Sequence, residues 1–223
     1  MVRHAKEPLW RTVSRYHQLT DAEIVECIQL VSKVDRAVRL ESAAQFMVIE
    51  IKEGSRYFVP SELLILKQEL SQASLTFKHY QLDEDWYLYL FLDDWIQTDV
   101  ASSLLKEWLT QHGFSLDEQG LSVLSTGDVL PLPLQKRFVW LNDNSQAVVC
   151  RDQISLESAV ALFLADLDRS AISVDSLVDE LTKPYIRSFA PPSSITDRSI
   201  SIMPLLPLLP PQTVASIEQI YRM

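Results

Sequence analysis

The stretch Trp86–Leu92, WYLYLFL, sets seven apolar residues in a row with no polar alternation. A strand with one face in water alternates between apolar and polar residues, whereas a continuous run of this kind belongs in the interior of a sheet. Its aromatic side chains also favour extended backbone over helix. The chain must therefore build a sheet around this segment as a central strand. With 223 residues and 47% apolar composition it can bury one substantial core, or one core and a small appendage.

The neighbouring segments supply partners for that strand. Thr20 and Glu23 stand in capping-box spacing ahead of Ile24, Val25, Ile28, Leu30 and Val31, a pattern that predicts a helix through TDAEIVECIQLVSKV. Ala43 to Ile51 reads as a buried strand. Pro60 and Ser61 then open a helix whose apolar stripe is Leu63, Leu64, Leu66 and Leu70. SLTFKHY is rich in strand formers, and a further helix starts at Thr98, carries Val100, Leu104, Leu105, Trp108 and Leu109, and stops at Gly113. Strands are expected at Leu121–Leu124, Phe138–Leu141 and Ala147–Cys150, and helices in SLESAVALFLADLD and SVDSLVDEL. The order strand-helix-strand-strand-helix-strand predicts an α+β fold, a mixed sheet covered by helices.

Both ends differ in kind. Residues 1–19 hold Arg3, Lys6, Arg11 and Arg15 against the single Glu7, a basic arm that either seeks phosphates or an acidic patch or docks through Trp10. Residues 20–170 form the α+β domain and 171–187 an accessory helix. Residues 188–223 contain Pro191, Pro192, Pro204, Pro207, Pro210 and Pro211, so they read as an extended arm with a short terminal helix. Leu205, Leu206, Leu208 and Leu209 lie between those prolines and need a surface, either the chain's own domain or a partner.

Charge narrows the function classes. With 20 basic against 30 acidic residues the net charge is −10, which opposes non-specific attraction to nucleic acid or to an anionic membrane. Any polynucleotide contact must be local. Cys27 and Cys150 have no metal-ligand spacing and read as thiols of a reducing cytoplasm, with no membrane span expected. The four histidines are isolated in sequence, Asp93 and Asp94 read as a solvated pair, and four glycines allow no phosphate-binding loop. Neither a metal nor a cofactor is expected, and the inventory of residues identifies no enzyme.

One spacing stands out. Glu50 and Lys52 are two apart in a strand, so they share a face, as two metal-binding acids would, with a lysine in place of the second. QFMVIEIKEGSRY, DEDWYLYLFLDDWIQTDVASSLLKEWLTQHG, GLSVL and LPLPLQKRFVWLND follow one another much as segments do in the catalytic half of archaeo-eukaryotic-type primases. The chain resembles that primase-polymerase superfamily, especially its bacterial and plasmid replication proteins, over about residues 40 to 170. The resemblance implies a primase-like fold in which Glu50 and Lys52 replace two metal-binding aspartates. It further implies that Asp83, Glu84 and Asp85 replace a glycine turn, Tyr87 a phosphate-binding histidine and Ser122 a third carboxylate.

The resemblance therefore implies that nucleotidyl transfer is lost, because a lysine occupies the place of a cation and acids face the phosphates. The expected role is that of a catalytically inactive accessory or scaffold subunit in a nucleic-acid transaction, with a protein partner such as a replication, primase or helicase component. Weak single-strand contacts would come from Arg56, Lys136, Arg137, Arg11 and Arg15. The alternatives are a protein-interaction module with no nucleic-acid contact and, beyond it, an active transferase with atypical ligands.

Overall fold

From the N-terminus the chain forms β1 (Val2–His4), α1 (Asp21–Ile28), β2 (Val34–Arg39), β3 (Ala43–Ile51), α2 (Pro60–Gln72), β4 (Lys78–Leu82), β5 (Asp85–Gln97) and α3 (Thr98–Gln111). It continues through β6 (Leu121–Val123), β7 (Val129–Pro131), β8 (Phe138–Leu141), β9 (Ala147–Cys150), a 3-10 turn (Arg151–Gln153), α4 (Leu156–Ser170) and α5 (Val174–Thr182). The structure, a computed structural model, describes residues 1–4, 9–13 and 19–184. The chain divides into Met1–Tyr185 and Ile186–Met223, and every element above belongs to the first unit. Arg15 and the leucines at 205, 206, 208 and 209 fall outside the described residues.

The apolar run sits where its composition requires. β5 is an interior strand of a six-stranded sheet in the order β6-β3-β5-β4-β8-β9, paired on one side with β3 and on the other with β4. The unit β3-α2-β4-β5-α3-β6 is a split β-α-β arrangement, so the fold is α+β with helices against the sheet. All its ladders are antiparallel, and the parallel component of the sheet is the isolated bridge between Leu92 and Ile172. A second sheet of three strands runs β1-β2-β7. Among the described residues no helix is long and apolar enough to cross a membrane.

Register decides which side chains meet. Ile49 lies opposite Leu88 and Val123, while Glu50 lies opposite Tyr87 and Ser122. Because side chains alternate along a strand, the Ile49 set enters a core with Leu63, Leu66, Leu70, Leu105, Leu109 and Leu177 from α2, α3 and α5. Each of those leucines is worth roughly 1.5–3 kcal/mol of burial. On the opposite face Tyr80, Tyr89, Phe91, Phe138 and Trp140 pack with Ala159 and Phe163 of α4. The Tyr80 hydroxyl donates to Asp166 at 2.9 Å, and Lys78 pairs with the same carboxylate at 2.9 Å, which fixes α4 there. A one-residue slip of β3 would drive Glu50 into the leucine core.

The sequence misled in three places. α1 has its Thr20–Glu23 capping box but ends at Ile28, not near Val34, because Leu30 turns into the left-handed region at φ 62° and the chain leaves as β2. Val25 and Val31 are exposed, and Cys27 is the residue that α1 buries. On α2 the stripe is Leu63, Leu66, Lys67 and Leu70, with Leu64 outside it. β1 and β7, with three residues each, carry too little periodicity to be read. α3 stops where Gly113 adopts φ 88°, as its glycine suggested.

Candidate functional site

At the end of β3 the ladder gathers the residues singled out by the sequence. The Glu50 carboxylate, 8% exposed, accepts from Lys52 Nζ at 2.6 Å, from the Tyr87 hydroxyl at 3.2 Å and from the Ser122 hydroxyl at 3.4 Å. Lys52 also donates to Asp85 at 3.1 Å, and the other oxygen of Asp85 accepts the Glu53 backbone N–H at 2.9 Å. Glu50, Lys52, Tyr87 and Ser122 therefore converge on one sheet face. Asp85, expected only as part of an acidic turn, is the missing partner of the lysine.

The backbone supports this arrangement. The Lys52 N–H donates to Gly120 C=O at 2.9 Å, which continues the β3–β6 pairing one step past the strand. A Cβ at Gly120 would lie 2.6 Å from Asp117 Oδ2, so any larger residue there must displace that carboxylate. Burial alone would lower the pKa of Lys52, but the Glu50 and Asp85 carboxylates outweigh it and raise the value above that of a free lysine. Burial first, and Glu50 second, push the Tyr87 hydroxyl far above its usual range, so it remains a neutral donor.

These groups lie in a cleft of about 920 Å³. Its lining holds the acids Glu50, Glu53, Asp83, Glu84, Asp85, Asp117, Glu118 and Asp128 against the cations Arg3, Lys52 and Lys106. The nearby Glu84 carboxylate raises the pKa of Glu53. A concavity with this surplus of negative charge repels a phosphate backbone and suits a cation.

The turn that the resemblance equates with a glycine loop is a two-residue hairpin connection between Leu82 and Asp85. Asp83 takes φ 58°, and its side chain closes a ring of alternating charge. Arg3 pairs with Asp83 and, at 3.2 Å, with Asp35; Arg137 pairs with Asp35 at 2.6 Å and Asp83 at 2.8 Å. The ring ties β1, β2, the β4–β5 turn and the loop before β8 together. Sequence reasoning missed it because Asp35 directly follows the predicted helix, in a segment where no strand was expected. The Arg3 guanidinium also covers the Trp10 ring at 4.6 Å, and Arg11 pairs by backbone with Val2, so this part of the basic arm is folded against the domain.

The other basic candidates do not line the cleft. Arg56 lies over the Tyr57 ring at 4.5 Å and donates to its hydroxyl, which in turn accepts the Ser115 N–H at 2.9 Å. Lys136 and Arg137 border a separate pocket beside Cys27. Asp93 accepts the first N–H of α5, from Val174, at 3.0 Å. Buried Lys67 was not anticipated either: its ammonium reaches His79 Nδ1 at 2.9 Å and Asp143 C=O at 2.9 Å.

Among the described residues no three His, Cys, Asp or Glu side chains are arranged to hold a metal ion. Cys27 and Cys150 are free thiols. No protein-family model matches this chain, and no curated protein matches it either.

Proposed function

We propose that this chain is a primase-like domain without nucleotidyl transferase activity, acting as an accessory or scaffold subunit in a nucleic-acid transaction such as replication or repair. The observation that carries this reading is the place of Lys52 Nζ, 2.6 Å from Glu50 and 3.1 Å from Asp85. Two-metal transfer needs carboxylates that bring two divalent ions together and offset their repulsion. Here the ammonium already holds the two nearest carboxylates, and Ser122 adds a hydroxyl where a third charge would be needed. The residues do not fit a pair of magnesium ions. Tyr87 donates one hydrogen bond and carries no positive charge for a triphosphate.

Primer synthesis and extension on a single-stranded template, with Mg²⁺ or Mn²⁺, tests the reading. No incorporation above background is expected. Template-dependent incorporation that Glu50→Ala abolishes would overturn it.

The acidic lining favours a second reading, a protein-interaction module whose cleft receives a cationic segment of a partner. The two readings separate by salt. Polynucleotide binding weakens steeply as salt rises, and a module that meets only protein shows no strand binding to weaken.

A further inference from the structure

A second concavity, of about 350 Å³, opens between the α1–β2 connection and the loop before β8. Lys33, Lys136 and Arg137 stand around it, with buried Cys27 and Gln135 beneath and Asp35 as its one acid. Asp35 is already engaged by Arg3 and Arg137. Lys33 and Lys136 are exposed and form no ion pair among the described residues. On a chain of net charge −10, positive charge is thus concentrated at one place, across the Asp83–Arg137 pair from the acidic cleft.

The basic loop is held in advance of any ligand. Gln135, 2% exposed, uses its side-chain amide as a strand would, accepting Arg36 N–H at 3.0 Å and donating to Arg36 C=O at 3.2 Å. On either side of it Leu134 and Arg137 sit in the left-handed region, at φ 61° and 69°. Non-glycine residues hold that conformation only where the surroundings enforce it. Lys136 and Arg137 therefore project from a fixed frame, which reduces the ordering cost of binding. Both ion pairs of Arg137 use Nη2, so neither of them engages Nη1 or Nε.

We propose that this pocket binds the phosphate backbone of single-stranded nucleic acid, with Lys33 and Lys136 as point charges and the Arg137 guanidinium as a fork for a phosphate oxygen pair. A flexible strand can enter the pocket and turn away from the acidic cleft, whereas a stiff duplex would be driven across both. The choice of polyanion rests on the nucleic-acid reading above, but the site uses none of the cleft residues that bear on catalysis.

The test is fluorescence anisotropy of a labelled oligothymidylate with the full chain over a salt series. Binding at low salt is expected, and Lys33→Glu combined with Lys136→Glu should weaken it roughly tenfold or more. Each lost phosphate contact should reduce the salt slope by about 0.7. Thermal unfolding of this double variant should match the parent, since both side chains are exposed. Thymidine monophosphate and inorganic phosphate should compete no better than chloride at equal ionic strength. Absence of strand binding, binding indifferent to both lysines, or full displacement by inorganic phosphate each overturns the proposal. None of those results touches the incorporation assay, so a failed pocket and a failed reading of the cleft remain distinct.

Discussion

Lys52 and Asp85 are 33 residues apart in sequence and 3.1 Å apart in the fold. Antiparallel pairing of Ile51 with Trp86 brings the end of β3 to the start of β5, so the ammonium arrives between Asp85 and its strand neighbour Glu50. The floor of the cleft is thereby locally compensated while its walls stay acidic.

Replacing the lysine should change what the cleft binds. Lys52→Asp would set a third carboxylate beside Glu50 and Asp85, and Mn²⁺ affinity measured by electron paramagnetic resonance should rise well above that of the parent. Lys52→Ala should destabilise the fold by about 1–2 kcal/mol at neutral pH, a figure reduced for the 34% exposure of the lysine side chain. If Lys52→Asp gains no Mn²⁺ affinity, the carboxylates do not converge as described.

The two embedded lysines should leave opposite marks on alkaline stability. Lys52 has a raised pKa, so its contribution is complete below the unfolded value of 10.5 and disappears as pH climbs through the higher folded value. Burial lowers Lys67 to about 8 in the folded state, so between about 8 and 10.5 the unfolded chain binds more protons and this group makes stability rise with pH. Urea unfolding of Lys67→Met across that window should show the rise diminished. An unchanged profile would place Lys67 in contact with water.

His79 should act at the other end of the scale. Burial foremost, with the Lys67 charge adding to it, lowers its pKa to about 3. The unfolded chain then takes up a proton near 6.5 that the folded chain refuses, so stability should fall as pH drops from 6.5 towards 3. His79→Phe should lessen that fall, measured by chemical denaturation in acid.

The two hydroxyls on Glu50 should not be equivalent. Tyr87 is 4% exposed and its bond is 3.2 Å, so Tyr87→Phe should cost about 0.5–1.5 kcal/mol. Ser122 is half-buried and its bond is 3.4 Å, so Ser122→Ala should cost less. The reverse order in denaturant melts would reassign the main support of Glu50.

Gln135→Ala removes two hydrogen bonds to one backbone residue in a buried setting. A loss of about 2–3 kcal/mol is expected, together with faster hydrogen exchange at the Arg36 amide. Normal protection at Arg36 would show that the loop stays in place without the glutamine.

Much of this was legible in the sequence through periodicity. The two-residue repeat placed Glu50 and Lys52 on one face, and the unbroken Trp86–Leu92 run required an interior strand. What periodicity cannot supply is register. The β3–β5 and β3–β6 alignments set Tyr87 and Ser122 opposite Glu50, and Asp85 escaped notice as the partner of Lys52 because that pair too is made by the β3–β5 alignment. The spacing of Leu63, Leu66 and Leu70 passes through position 67, so the burial of Lys67 was legible, whereas its contact with His79 depends on how α2 packs on β4. β2 was lost for a different reason: its alternation yields inward Asp35 and Ala37, a polar and a small residue that carry almost no hydrophobic signal.

An ion held by carboxylates exchanges with its surroundings, and its occupancy follows whatever concentration the solution provides. The Lys52 ammonium is tethered by covalent bonds to the strand it compensates. The compensating charge at the cleft floor is thus inherited with the polypeptide, present in every copy at fixed stoichiometry and changed by mutation instead of by supply.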